Sequence, residues 1–226
     1  MSTRTLFIHT PKAAGTTIVS SCPVIPVSER YLSKNKIKED SMNPRSYYTL
    51  GNVSSFIKHA PYNYLDKDQI SRFDRVFTTV RNPWSRLVSM YHHADSISQG
   101  VRNSWYYQDK ISWDEYLNRM DSFRMNSSYY WNHPYDQWGI QLDWISIGSK
   151  VKCDVLRYEN LQEDVDAYFN KNITLNKDNV DNYNKDYKEY YTKEQQKKVA
   201  DWFRLDIEYW GFTFESGATR NYYIKT

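Results

Sequence analysis

Arg75-Val76-Phe77-Thr78-Thr79-Val80-Arg81-Asn82-Pro83-Trp84-Ser85-Arg86-Leu87-Val88-Ser89-Met90-Tyr91 decides the fold, because its periodicity changes once, at Asn82-Pro83. The first six residues are β-branched, aromatic or apolar apart from Arg75, which is the pattern of a buried strand. Asn82 then reads as a helix N-cap with Pro83 at the first helical position, and the helix is expected to run to Tyr91 or His93. A strand that hands over directly to a helix places Arg81 at the strand's carboxyl end, the edge at which open α/β sheets bind ligands. A planar guanidinium there can grip a phosphate through two hydrogen bonds. Ser89, two helical turns on, can offer its hydroxyl to the same group. Arg86, three residues earlier, reads instead as a helix-surface or internal ion-pair residue.

Upstream, Thr5-Leu6-Phe7-Ile8 is a second β-prone run, followed by His9-Thr10-Pro11-Lys12-Ala13-Ala14-Gly15-Thr16-Thr17. Strand, tight loop and helix start in that order turn several backbone N–H groups toward one spot, which suits an anion. Ala13, Ala14 and Gly15 are small enough for close approach to the backbone. Thr16 and Thr17 add hydroxyls and Lys12 a mobile charge. A nucleoside-triphosphate loop needs Lys directly after its second Gly; here Lys12 precedes Gly15 by three residues, and no earlier Gly stands in the required place. Pro23 and Pro26 should end the helix after the loop early.

Elsewhere, strands are expected at 53–59 and 151–156 and helices at 113–120, 135–145, 161–169 and 192–209, the last capped by Thr192, with 211–214 as a closing extended piece. Residues 28–50 show no regular pattern. Strands alternating with helices argue an α/β fold with a central parallel sheet flanked by helices. The 226 residues fit a single domain, 1–226.

Thirty Lys plus Arg against 27 Asp plus Glu leave a net charge of +3, too little to imply a nucleic-acid partner or a charged membrane surface. Anion recognition must then come from a few placed groups. Cys22 and Cys153 make neither a disulfide framework nor a metal cluster, and no metal-ligand spacing stands out. Neither a signal-peptide core nor a membrane-span run is read in the chain, so a cytoplasmic location is expected, of bacterial or viral origin.

The two motifs together resemble the 3′-phosphoadenosine-5′-phosphosulfate (PAPS)-dependent sulfotransferases. Pro11-Lys12-Ala13-Ala14-Gly15-Thr16-Thr17 is similar to that family's 5′-phosphosulfate loop, and Arg81 through Tyr91 to its 3′-phosphate motif. Ile57-Lys58-His59-Ala60-Pro61-Tyr62 resembles the Gly-His strand end of the carbohydrate branch, which includes heparan 2-O-sulfotransferases, with Lys58 in place of the Gly. Arg157-Tyr158-Glu159-Asn160-Leu161 and Asp206-Ile207-Glu208-Tyr209-Trp210-Gly211-Phe212 match two further steps, so the likeness runs over about 5–214.

The resemblance implies a P-loop-like sulfotransferase fold and in-line transfer of a sulfuryl group from PAPS to a hydroxyl on an acceptor, with adenosine 3′,5′-bisphosphate (PAP) as product and no metal required. Lys12 and His59 become the catalytic candidates, His59 as general base. Lys12, Ala13, Ala14, Gly15, Thr16, Thr17, Arg81 and Ser89 become the cofactor contacts. Glu159 reads as structural, and Lys185 or Lys188 as either a cofactor contact or a solvated charge. His9 reads as loop-shaping. His133 is the alternative base or a substrate contact, and six of the eight Trp fall between Trp84 and Trp144, which suits a glycan acceptor while leaving most of them for the core. A nucleotide kinase-like phosphoryl transferase and a non-catalytic glycan-binding protein are the competing readings.

Overall fold

Arg75–Val80 forms the central strand β3, and each of its two faces packs on its own hydrophobic core. Beside it lie β1 (Thr5–Ile8) on one side and β6 (Asp154–Arg157) on the other. The computed structural model describes residues 3–41, 59–97, 111–126, 139–176 and 185–224. The short strand β2 (Ile25–Pro26) completes a parallel sheet of order β2-β1-β3-β6. Its Pro26, which has no N–H to give, sits on the sheet's edge, where a missing donor is tolerated.

The period-two alternation of the strands separates the cores. Leu6, Ile8, Val80 and Val155 point into the larger one. It is completed by helices α4 (Pro83–Ile97), α5 (Trp113–Asn126), α6 (Gln141–Ile145), α8 (Lys193–Trp202) and α9 (Arg204–Trp210). Phe7, Phe77 and Leu156 face the smaller core, with Ile18 of α1 (Gly15–Ser21) and Val165 and Tyr168 of α7 (Leu161–Phe169). Helices therefore cover both faces of a parallel sheet, the α/β architecture expected.

Several boundaries match the expected ones. α1 ends at Ser21, before Pro23, and α7 spans Leu161–Phe169. Asn82 Oδ1 accepts from the Trp84 and Ser85 N–H groups, at 3.1 and 3.4 Å, as an N-cap should. Thr192 opens α8 with a capping box to Gln195.

Other expectations need correction. The strand expected over 151–156 is two pieces. Lys150–Val151 (β5) pairs antiparallel with Ser146–Ile147 (β4) across Gly148, which takes φ 59°, and Lys152 N–H then bonds the Ile145 carbonyl and diverts the chain before β6 begins. The helix expected over 192–209 breaks at Phe203, whose φ −109° and ψ 26° leave the helical region. Past the break, Asp206 and Trp210 are fully buried. The segment 28–50, read as irregular, contains α2 (Lys34–Ser41) after a 3-10 turn at Glu29–Tyr31. Residues 211–214 are no strand: Gly211, at φ 69°, caps α9, and the chain continues as irregular backbone. A further short helix α3 (Lys67–Ile70) precedes β3, its N-cap Asp66 accepting from Asp68 N–H. The strand expected at 53–59 falls, except for His59, outside the described residues.

Candidate active site

The sheet order reverses between β1 and β3, since the chain moves from β1 outward to β2 and then back across to β3. Open α/β sheets bind ligands at the carboxyl ends flanking such a reversal. There, the loop after β1 and the segment after β3 stand side by side.

The loop carries two left-handed residues without being glycine at either. Lys12 has φ 62° and Ala14 φ 67°, a conformation that costs an L-residue roughly 1–2 kcal/mol each. Side chains from β3 and the turn into α4 hold it in place. Arg86 Nε donates to the Pro11 carbonyl at 3.0 Å, Arg81 Nη1 to the Lys12 carbonyl at 3.4 Å, and the Thr79 hydroxyl to the Ala13 carbonyl. Below them, the Thr78 hydroxyl donates to the Ile8 carbonyl at 2.8 Å and contacts Thr10 Oγ1 at 2.9 Å.

Three successive carbonyls are thus turned toward the segment that runs from β3 into α4. No peptide bond among the described residues is cis. In a trans peptide the carbonyl and the next N–H point in opposite directions. The N–H groups of Lys12, Ala13 and Ala14 must then face away from that segment. The first intrahelical bond of α1 runs from Ile18 N–H to the Ala14 carbonyl, so Gly15, Thr16 and Thr17 N–H groups precede it at the helix start. The loop offers a run of backbone donors with the Lys12 side chain, half exposed, at its start.

Gly15 has a specific reason to lack a side chain, and that reason is a neighbouring ring. A Cβ there would lie 1.7 Å from His9 Nε2. His9 itself is 5 % exposed and stands 4.2 Å, ring centre to ring centre, from His59. His59 Nδ1 lies 2.9 Å from the His9 carbonyl, which can only accept. That fixes Nδ1 as the protonated nitrogen and leaves Nε2 as the basic one. Trp144 Nε1 donates to the His59 carbonyl at 2.8 Å and holds its backbone. His9 is therefore loop-shaping, as expected, and it brings His59 to the loop after β1 from 50 residues away.

Arg81 is 6 % exposed. Its Nε donates to Ser85 Oγ at 2.9 Å and its guanidinium lies 4.1 Å over the Tyr158 ring. The serine that steadies the Arg81 side chain is Ser85; Ser89 lies further along α4 and is 1 % exposed. Arg86, also 1 % exposed, is internal, and it binds the Pro11 and Gly139 carbonyls.

Glu159 acts as a support, as expected. Its carboxylate accepts from Asn82 N–H at 2.7 Å, and its side chain leaves no room for a Cβ at Gly217. Asn82 Nδ2 in turn donates to the Thr213 and Ser216 carbonyls, which ties the end of the chain over the segment after β3.

Sequence reasoning missed Thr79, Gln141 and Asp206. Gln141 Oε1 accepts from Arg81 N–H at 2.9 Å and Nε2 donates to the Arg81 carbonyl at 2.8 Å, while Asp206 receives the Gln141 and Leu142 N–H groups, both at 2.9 Å. Burial pushes the Asp206 carboxyl up to about 6, against the pull of those N–H donors and of the Arg86 charge. Nothing in a single sequence marks Gln141, since its partners, the Arg81 backbone and the Asp206 carboxylate, lie 60 or more residues away.

Lys188 pairs with Glu215 at the surface, 2.5 Å apart, and so takes the solvated-charge reading. Trp84, Trp144, Trp202 and Trp210 are core residues. Lys58, His133, Trp105, Trp131 and Trp138 lie outside the described residues. Among the described residues, no group of three or more His, Cys, Asp and Glu side chains is placed to hold a metal ion. Nor is any described helix long and apolar enough to cross a membrane.

No protein-family model matches the chain, and no curated protein matches it. Among solved structures, the chain is similar to the crystal structure of mouse sulfotransferase SULT7A1 complexed with PAP, with 12 % identity, 91 % of this chain and 85 % of that chain covered, and a TM-score of 0.47.

Proposed function

We propose that this chain is a PAPS-dependent sulfotransferase of P-loop-like fold, one domain over 1–226, acting on a hydroxyl acceptor, in particular a glycan. The observation that carries this reading is the inward turn of the Pro11, Lys12 and Ala13 carbonyls, which aims the following N–H groups outward beside Arg81. Such a cradle next to a strand-end guanidinium suits a ligand with anionic groups at two ends. The order of Lys12 and Gly15 speaks against a nucleoside triphosphate, and the motif resemblance supports PAPS.

PAPS supplies the sulfuryl group and departs as PAP. Lys12 and the N–H groups of Ala13, Ala14, Gly15, Thr16 and Thr17, with the two threonine hydroxyls, stabilise the charge that develops on the leaving 5′-phosphate. Arg81 and Ser89 hold the 3′-phosphate and thereby fix the cofactor along the line of displacement. His59 Nε2 takes the acceptor's proton as the new O–S bond forms and the old one breaks. The His9 carbonyl keeps His59 in the tautomer that can do so. His133 is the proposed contact on the acceptor side.

The test is calorimetric titration in magnesium-free buffer with PAP, adenosine 5′-phosphate and ATP. PAP should bind at least about tenfold more tightly than adenosine 5′-phosphate, the scale of one hydrogen bond to a charged group. Equal affinities would remove Arg81 and Ser89 from the 3′-phosphate and the sulfotransferase reading with them. Release of PAP from PAPS in the presence of sugar, phenol and alcohol acceptors then sorts the acceptor class.

A further inference from the structure

Beyond Val80, which pairs with Arg157 in the last ladder step between β3 and β6, the Arg81 backbone has left the sheet. Its N–H and carbonyl are nevertheless both satisfied, by one side chain. Gln141 Oε1 takes the N–H at 2.9 Å and Gln141 Nε2 gives to the carbonyl at 2.8 Å, as the peptide of a neighbouring strand would. The two partners fix which amide atom is which, since an N–H must face oxygen and a carbonyl must face nitrogen. Nε2 also donates to Asp206 Oδ2 at 3.3 Å, and that same oxygen accepts Gln141's own N–H at 2.9 Å. Gln141 and Asp206 are both 0 % exposed. The carboxylate of α9 thus orients the amide of α6, and the amide orients the backbone that carries the Arg81 guanidinium.

We infer that Gln141, oriented by Asp206, is a positioning residue that sets the enzyme's selectivity for the 3′-phosphate by fixing the Arg81 backbone where β3 ends. The inference rests on the reading of Arg81 as the 3′-phosphate ligand. Gln141 itself bonds no part of the 12–17 cradle; its link there passes through the longer 3.4 Å contact of Arg81 Nη1 with the Lys12 carbonyl, so it bears first on the 3′-phosphate end of the cofactor. Gln141→Glu keeps the shape but turns an acceptor toward the Arg81 carbonyl and sets a second carboxylate against Asp206.

The experiment titrates PAP and adenosine 5′-phosphate into wild type and Gln141→Glu, with thermal melting in parallel. The preference for PAP should fall about tenfold while affinity for adenosine 5′-phosphate stays within about twofold. Gln141→Met, which fills the same volume without the amide, gives the same reading should the Glu variant not fold. A preference for PAP unchanged in a folded variant, or both affinities falling together, makes Gln141 merely structural and overturns the inference. A wild type that binds both nucleotides equally overturns the cofactor reading itself, and this inference with it.

Discussion

The loop at 9–17 and the segment starting at Arg81 stand side by side at the crest of the sheet, yet they are held by opposite means. The loop is fixed through its carbonyls, by Thr79, Arg81 and Arg86, all within one short run of sequence. Arg81 is fixed through both of its backbone groups by a single side chain, Gln141, which depends on Asp206. The first arrangement turns N–H groups outward and carries His59 against the loop through His9. The second aims a guanidinium, whose Nη1 also reaches the Lys12 carbonyl. Chemistry should therefore be concentrated at the first and grip at the second, and variants at the two should fail in different ways.

The largest effect is expected at His59. His59→Ala should cut turnover by about 10²–10⁴-fold with affinity for PAP nearly unchanged. His133→Ala should do much less. The reverse pattern in single-turnover rates would move the base to His133.

The second anchor holds an ionisable group whose state can be titrated. The Asp206 carboxyl is pushed up to about 6 by burial, above its ordinary value of 3.8. An acid whose pKa is raised by folding binds its proton more tightly in the folded chain, so its stabilising contribution is complete below about pH 4 and is lost as pH climbs through about 6. Denaturant titrations between those limits should show stability falling with pH by up to about 1.4 kcal/mol per unit from this group. Asp206→Asn should flatten that decline; an unchanged slope would mean that the buried carboxylate is ionised throughout.

Gly15→Ala tests the first anchor by overfilling it. The new methyl would collide with the His9 ring, at a cost of about 1–3 kcal/mol, and would displace the carbonyl that orients His59. Adding His9→Ala should recover much of the lost melting temperature but not the activity. Additive losses in the double variant would show that the two residues do not meet.

Lys12→Ala and Arg81→Lys divide turnover from affinity. The first should lower turnover at saturating PAPS more than it lowers affinity for PAP; the second should weaken PAP about tenfold and leave saturated turnover near wild type. Matching losses in both quantities for both variants would erase the distinction between the two regions. The smallest effect is expected of Thr79→Val, nearly isosteric, which removes one carbonyl pin from the loop and should cost about 1 kcal/mol in stability.

Local pattern made much of this legible. Asn82-Pro83 marks where β3 gives way to α4, and both begin where the sequence puts them, though α4 runs on to Ile97, past the expected end at Tyr91 or His93. The breaks in 151–156 and 192–209 were not legible. Lys152 is diverted by the Ile145 carbonyl across the β4–β5 hairpin, and Phe203 leaves the helical region just ahead of the fully buried Asp206 and Trp210; neither break is announced by a Gly or Pro at the residue concerned. In the site, Lys12, Gly15 and Arg81 stand out because loops and strand ends restrict residue type. Thr79 and Gln141 do not, because each acts on a backbone atom, and backbone atoms leave no trace in composition.

By itself, the sequence determined the two segments proposed to face an anion, the order of strand, loop and helix around each, and the histidine candidate, since these depend on turn chemistry and period within a few residues. Only the tertiary structure decided that Gly15 must be bare for His9, that His59 reaches the loop by way of the His9 carbonyl, and that Gln141 completes the backbone of Arg81. The first is set by how one loop folds back on itself; the other two join segments separated by 50 or more residues, and no local pattern encodes which distant group will arrive.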